Sequence, residues 1–347
     1  MAVPPLFTAD LDHVLAQTHE YWEEARDQSL FITGGTGFFG MWLLESFCHV
    51  NDALGLGMSA TVLTRDPWAF ARKAPHLSSR SDLRFIQGDV RSFEFPSGSF
   101  SYLIHAATAA SAKLNEEAPH EMLNVIVDGT RHLLAFAEQC GVRKLLLTSS
   151  GAVYGKQPTE ITHVTEDYRG APDPLLPGSA YGEGKRVAEH LCAVHALNHS
   201  YEMKIARCFA FVGPHLPLNT HFAIGNFIRD ALAGGPISVA GDGTPYRSYL
   251  YAADLSIWLW TILLRGSNIS AYNVGSETDF PIGVVAQTVR DCATEPLPVQ
   301  IAQAPAPVRP GSRYVPSTLK ARTELGLRET VDLNEAIRRT LMWYQLT

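Results

Sequence analysis

Tyr181 and Lys185, in the run Tyr181-Gly182-Glu183-Gly184-Lys185, are four residues apart and fall on one face of the helix that this segment predicts. A nearby cation favours a phenolate, so the pair suits proton exchange with a carbinol near neutral pH. Such pairs also arise by chance on any helix. This one follows an apolar run that ends Thr148-Ser149-Ser150, whose hydroxyls are placed to reach a substrate oxygen beside Tyr181.

A second motif, Thr33-Gly34-Gly35-Thr36-Gly37-Phe38-Phe39-Gly40, lies between the apolar run Leu30 to Ile32 and a helical pattern from Met41. In that setting Gly34 permits a tight turn, Gly37 lets backbone approach a pyrophosphate, and Gly40 lets helix and strand pack closely. Free N–H groups at the helix start then hold the phosphates, and the bound group is a dinucleotide. The end of the second β run, Thr64-Arg65-Asp66, bears on which one. An acid there serves the ribose diol of NAD, whereas arginine accommodates the 2′-phosphate of NADP. Thr64 stands at the acid position and Arg65 follows it, so the site leans to NADP, with NAD the alternative. Asp66 serving the ribose and Arg65 as a solvated surface charge both stay open. Asp89, in Gly88-Asp89-Val90, suits the adenine edge or is a plain turn residue.

Short β-rich runs at 30–33, 60–64, 83–87, 102–105, 144–149 and 204–209 alternate with helical patterns at 41–51, 67–73, 117–140 and 181–199. Strands without polar alternation, separated by helices, predict an α/β fold of the Rossmann type: a doubly wound parallel sheet covered on both faces. After Phe209 the chain turns Pro- and Gly-rich, with helical patches at 222–233, 255–264, 282–294 and 333–344. The expected division is an N-terminal helical extension at 1–28, a dinucleotide-binding core at 29–210, and a mainly substrate-binding lobe at 211–347 that crosses back to the core. In the extension Leu11, Val14, Leu15 and Tyr21/Trp22 keep near-helical spacing, which predicts a helix packed on the sheet edge.

With 347 residues, 46% of them hydrophobic, the chain can bury a large core. A net charge of −7 without long like-charged runs argues against a nucleic-acid surface. Five scattered cysteines without a CxxC pair read as reduced thiols of a cytoplasmic enzyme. No secretion signal is read at the N-terminus, and the most apolar stretch, Leu255 to Leu264, is too short for a membrane span. His190, His195 and His199 lack an acidic HExxH-type partner in sequence, so no metal is expected.

The combined pattern resembles the extended short-chain dehydrogenase/reductases, the NAD-dependent epimerase/dehydratase family, over roughly residues 29 to 345. The resemblance rests on the glycine turn, His105-Ala106-Ala107-Thr108, Gly129-Thr130, Thr148 to Gly155, Tyr181 to Lys185, Arg207 to Pro214, Gly241 to Asp254, and Leu325-Gly326-Leu327. It implies that Ser150 polarises a sugar oxygen, Tyr181 is the acid/base, and Lys185 binds the nicotinamide ribose. It implies a sugar-nucleotide substrate, with Arg247 at its diphosphate and Asn226, Gly151 and Ala210 nearby. The implied cofactor contacts are Gly34, Thr36, Gly37, Phe38, Phe39, Gly40, Thr64, Arg65, Asp89, Val90, Ala106, Ala107, Thr108, Ser149, Tyr181 and Lys185. Related enzymes pair two helices into a four-helix interface, so a homodimer through 117–140 and 181–199 is expected, with Leu133, Leu134, Leu191 and Val194 as its apolar residues.

Departures narrow the chemistry. Dehydratases of the family carry Asp-Glu after the Ser/Thr, and UDP-glucuronate decarboxylases a Glu at the second of these places, where this chain has Gly151-Ala152. Ala210 and Ile126 replace two usual asparagines. Glu183, His215 and His221 are the candidates to supply the absent proton transfer from elsewhere. The expected reaction is hydride transfer at C4 of a nucleotide 4-keto sugar, a ketoreduction, with 4-epimerisation as the alternative and dehydration behind both. A non-enzymatic cofactor-binding protein would be expected to lose Tyr181 or Lys185, and both are present.

Overall fold

The computed structural model describes residues 4–108, 112–220, 222–304 and 311–346. Strands β1 (Ser29–Thr33), β2 (Ser59–Thr64), β3 (Leu83–Gln87), β4 (Tyr102–His105), β5 (Lys144–Ser150) and β6 (Glu202–Cys208) join a further strand, Ser270–Val274, in one seven-stranded parallel sheet. The spatial order is Ser270–Val274, β6, β5, β4, β1, β2, β3. Because β1 pairs with β2 on one side and β4 on the other, the winding reverses there, and the carboxyl ends of β1 and β4 are the place where sheets of this kind bind ligands.

The helices that place the site are α1 (Thr8–Thr18), α2 (Phe38–Leu54), α3 (Pro67–Lys73), α4 (Pro75–Ser78), α5 (Ala112–Glu117), α6 (Pro119–Gln139), α7 (Ala180–Ala196), α8 (Ala223–Leu232) and α9 (Ala252–Arg265). The single helix expected over 117–140 is instead α5 followed by α6. Pro119 has no N–H to continue α5, and its ring pushes Ala118 out of helical backbone, to φ −143°, ψ 62°. α6 and α7 bury Met122, Ile126, Leu133 and Cys192 against Phe31, Leu103 and Leu145 on one face of the sheet. α2 and α9 cover the other face. α9 is buried along almost its whole length because it lies between the sheet and α1 and α2, so it is largely apolar, with Asp254, Ser256 and Thr261 its buried polar residues.

The N-terminal helix exists, but it does not pack on a sheet edge. α1 lies on α9 and α2, with Trp22 against Trp260 at 4.7 Å between ring centres and Asp10 accepting a 2.6 Å hydrogen bond from Tyr251. The sheet edges are β3 and Ser270–Val274, whereas the apolar surface that matches Leu11 and Val14 belongs to α9.

The strand Ser270–Val274 is absent from the sequence reading. Its five residues include buried Asn273, whose side chain is satisfied only in the folded molecule, by the Tyr154 hydroxyl (2.7 Å) and the carbonyls of Val164 (2.9 Å) and Ser317 (3.0 Å). Segments on both sides of this strand in sequence build a lobe that includes α8. There Asp279–Pro281, Tyr246–Ser248 and Arg313–Tyr314 form a small sheet that sets Arg247 and Tyr314 side by side. No helix among the described residues is long and apolar enough to cross a membrane, and the five cysteines are free thiols.

Candidate active site

The glycine turn links β1 to α2. Gly34 has φ +76°, and a Cβ there would stand 2.5 Å from the Ala106 carbonyl, so the turn presses directly on the loop after β4. A Cβ on Gly40 would fall 2.2 Å from the Gly35 carbonyl carbon, which keeps α2 tight against the turn. Gly37 is the N-cap of α2 and supplies no side-chain cap, which leaves the first-turn N–H groups at Phe38 and Phe39 to an external acceptor. Together with the helix dipole this is a cradle for a phosphate, and the residues fit a dinucleotide.

Thr33 joins the two loops that border the cradle. Its hydroxyl accepts the Ala107 N–H at 3.1 Å and lies 2.8 Å from His105 Nδ1, while His105 Nε2 meets the Thr130 hydroxyl at 3.2 Å. Burial holds the His105 imidazole down to about 3, so it is a neutral pin. The sequence reading gives these three residues no role, although short polar side chains at the ends of adjacent parallel strands are a usable signal.

The remaining cofactor candidates have varied surroundings. Thr64 is buried, Thr36 is half-buried in the turn, and Arg65 is exposed at the end of β2. The Asp66 carboxylate accepts the Ala69 N–H at 2.8 Å and caps α3, an arrangement that Pro67 at the next position favours. Asp89 is clasped by Arg91 through backbone and guanidinium at 2.8–2.9 Å, which holds its carboxyl below the usual range. Arg91 also reaches Glu121 of α6, so Asp89 ties its loop to the helices. Val90 fills the space over Gly129, where a Cβ would be 2.8 Å away.

The three hydroxyls at the carboxyl end of β5 differ in what they meet. Thr148 donates to the His105 carbonyl at 3.1 Å, and Ser149, on the opposite face of the strand, donates to Glu189 of α7 at 2.5 Å. Ser149 therefore belongs to a supporting network that continues through Arg207, paired with Glu189 at 2.7 Å, to the Tyr154 hydroxyl at 2.9 Å. Ser150 neighbours Tyr181, whose phenol it lowers, and accepts the Ala152 N–H at 3.1 Å.

Lys185 Nζ donates to the Thr108 hydroxyl at 2.7 Å and to the Thr148 carbonyl at 2.8 Å. Burial lowers its ammonium to about 8. It lies 6.0 Å from the centre of the Tyr181 ring, and burial pushes that phenol up to about 12, against the lowering by Ser150. The expected lowering of the phenol by the Lys185 cation is not found in this geometry: Ser150 is the group that lowers it, and burial outweighs Ser150. Asn115, unremarked in the sequence, receives the Tyr181 N–H at 2.9 Å and fixes the start of α7.

Among the substrate candidates, Arg247 is half-buried and hydrogen-bonds the carbonyls of Tyr246 (2.7 Å) and Ser312 (3.3 Å). Ala210 pairs through its carbonyl with the Leu250 N–H at 3.1 Å, and the Asn226 amide oxygen receives Arg229 at 3.2 Å along α8. Gly151 faces Phe209 and the hydroxyl of Tyr314, which is 3.4 Å from Ser150. Tyr314 enters from a distant segment after a Pro-rich stretch, and sequence spacing gave no sign of it. The substitute proton donors do not assemble here: Glu183 is 3.7 Å from Arg186, and His215 is packed on Trp343, 3.6 Å from Glu45. His221 lies outside the described residues.

His195 and His199 do have an acid, supplied by α6: Glu138 lies 2.7 Å and 3.6 Å from their Nε2 atoms. These three residues form a possible metal-ligand group, at the far end of α7 from Tyr181, roughly 20 Å along the helix.

The match to known proteins agrees with this arrangement. The model of the NAD dependent epimerase/dehydratase family matches residues 30–275. UDP-glucuronic acid decarboxylase 1 of Danio rerio is 30% identical over 327 residues, 94% of this chain and 74% of that protein. UDP-glucuronic acid decarboxylase 3 of Arabidopsis thaliana is 32% identical over 310 residues, 89% and 86% of the two chains. The UDP-glucose 4-epimerase of Thermus thermophilus, solved in complex with NAD, superposes with a TM-score of 0.74 at 26% identity, covering 92% of this chain and 99% of its own. The chain belongs to the NAD dependent epimerase/dehydratase family.

Proposed function

We propose that the chain is an NAD(P)-dependent sugar-nucleotide oxidoreductase that reduces the C4 ketone of a nucleotide 4-keto sugar. The observation that carries this reading is the convergence of Ser150, Tyr181 and Lys185 beside the glycine cradle, with only Gly151 and Ala152 where dehydrating relatives carry acid and base. A nicotinamide dinucleotide in the cradle supplies or accepts the hydride. Ser150 holds the sugar oxygen. Tyr181, kept protonated by burial, gives its proton to the alkoxide oxygen as it develops. Lys185 anchors the wall through Thr108 and Thr148, and Arg247 offers a cation to the substrate's diphosphate. Exposed Arg65 and the diversion of Asp66 into a helix cap support NADP.

A second reading, decarboxylation, is favoured by the names of the curated relatives. Oxidation at C4 of a uronic acid gives a β-keto acid that loses carbon dioxide without a base, so Gly151 and Ala152 do not forbid it. The test is a panel of a 4-keto sugar nucleotide, UDP-glucose and UDP-glucuronic acid with each cofactor, read by mass spectrometry and NMR. Cofactor consumption with the 4-keto sugar is expected. Loss of carbon dioxide from UDP-glucuronic acid would install the second reading, and UDP-galactose from UDP-glucose would install epimerisation. With the accepted substrate, Tyr181→Phe is expected to lower turnover roughly 10²–10⁴-fold while cofactor affinity persists; turnover within about threefold of wild type would remove Tyr181 from this role.

A further inference from the structure

Gly151 and Tyr314 share one small volume. A Cβ on Gly151 would stand 2.8 Å from the Tyr314 hydroxyl and 2.7 Å from the Phe209 ring. Tyr314 reaches this place from the lobe sheet, in register with Arg247 and with its ring 4.7 Å from that of Phe209. Its hydroxyl lies 3.4 Å from Ser150 Oγ, its hydrogen-bond partner among the described residues. A phenol from a distant strand therefore occupies the space that a side chain at 151 would take.

The consequence lies in the direction of one proton. A serine hydroxyl has one proton and two acceptor lone pairs. The Ala152 N–H fills one acceptor position of Ser150. When Tyr314 donates into the other, both are filled, and the Ser150 proton turns to its remaining neighbour, Tyr181. The reverse polarity spends the Ser150 proton on Tyr314, withdraws it from Tyr181, and leaves the phenol proton of Tyr314 without an acceptor among the described residues. Tyr314 is half-buried, and the first polarity lets the protein make one more hydrogen bond than the second, which favours it.

We propose that Tyr314 is a positioning residue that donates its hydroxyl proton to Ser150 and thereby aims the Ser150 proton at the oxygen it shares with Tyr181. This rests on the reading of Ser150 and Tyr181 as the proton-handling pair. In the reduction, the O–H bond of Tyr181 breaks and an O–H bond forms at the sugar C4 oxygen, while Tyr314 keeps its own proton throughout.

The experiment compares Tyr314→Phe, which keeps the ring and its packing, with wild type, Ser150→Ala and the double variant. Tyr314→Phe is expected to lower kcat roughly tenfold with little change in KM. In the oxidation direction, where the phenolate is the active form, the acidic limb of the pH profile moves upward, because the phenolate loses an ordered donor. In the Ser150→Ala background the same substitution is expected to cost nothing further. Equal losses in both backgrounds, an unmoved pH limb, or wild-type kcat would overturn the proposal. A readout without substrate is the ultraviolet difference titration of Tyr181 in cofactor-loaded protein, referenced to Tyr181→Phe. Its midpoint rises in Tyr314→Phe if the proposal holds, and an unchanged midpoint overturns it. Wild-type turnover in both Ser150→Ala and Tyr181→Phe would instead overturn the underlying reading of the pair.

Discussion

Lys185 illustrates how a single functional side chain opposes folding. Burial lowers its ammonium from 10.5 to about 8, a penalty on the order of 3 kcal/mol at neutral pH. The folded value lies below the unfolded one, so the unfolded chain binds more protons between them, and this penalty fades as pH rises from 8 towards 10.5. Lys185→Met is therefore expected to stabilise the cofactor-free protein below pH 8, with the advantage shrinking above it, while turnover is lost. Urea unfolding of both proteins across that range checks this, and a gap that stays constant with pH would refute the assignment. At the cofactor's other end, Arg65 is exposed, with its carbonyl held by Gln87 at 3.2 Å. Arg65→Ala is expected to weaken NADPH by about 1.5–3 kcal/mol more than NADH. Equal losses in titration calorimetry would show that Arg65 does not read the 2′-phosphate.

At the scale of elements, local chemistry and tertiary packing divide the determination between them. The β1–turn–α2 unit is legible because glycines at fixed spacing include two, Gly34 and Gly40, that meet backbone admitting nothing larger. The N-terminal helix is legible as a helix from its apolar spacing, but its partner is not, since α9 lies some 240 residues away in sequence. Its anchor is Trp22, packed at a tilt on Trp260 with ring centres 4.7 Å apart, and with its indole N–H on Thr18 at 2.9 Å. Trp22→Ala is expected to cost roughly 3–5 kcal/mol in denaturant unfolding. A loss below about 1 kcal/mol would mean that the extension contributes little to the core.

At the scale of the whole molecule, the α6–α7 layer has two faces. Leu133 and Leu134, expected at a subunit interface, are buried in the chain's own core, because they sit on the side of α6 that meets the sheet. Leu123, Val187 and Val194 point outward instead, 36%, 38% and 46% exposed. We propose that this outer face pairs with a second copy. Val187→Glu combined with Val194→Glu is then expected to give a monomer by light scattering where wild type is a dimer, and a monomeric wild type would end the idea.

Residue order alone was sufficient for the parallel α/β fold, and it singled out the glycine turn and Ser150, Tyr181 and Lys185 as candidates. The glycine turn and the Tyr181–Lys185 pair are legible because each depends on strict spacing within one local unit, and the sheet because its strands and helices alternate along the chain. Folding decided which hydroxyl of Thr148, Ser149 and Ser150 remained available, which acid met His195, and whether burial or Lys185 governed the Tyr181 phenol. It also added Ser270–Val274 to the sheet and brought Tyr314 onto Ser150. These outcomes depend on desolvation and on partners far apart in the chain, quantities with no periodic trace in the order of residues.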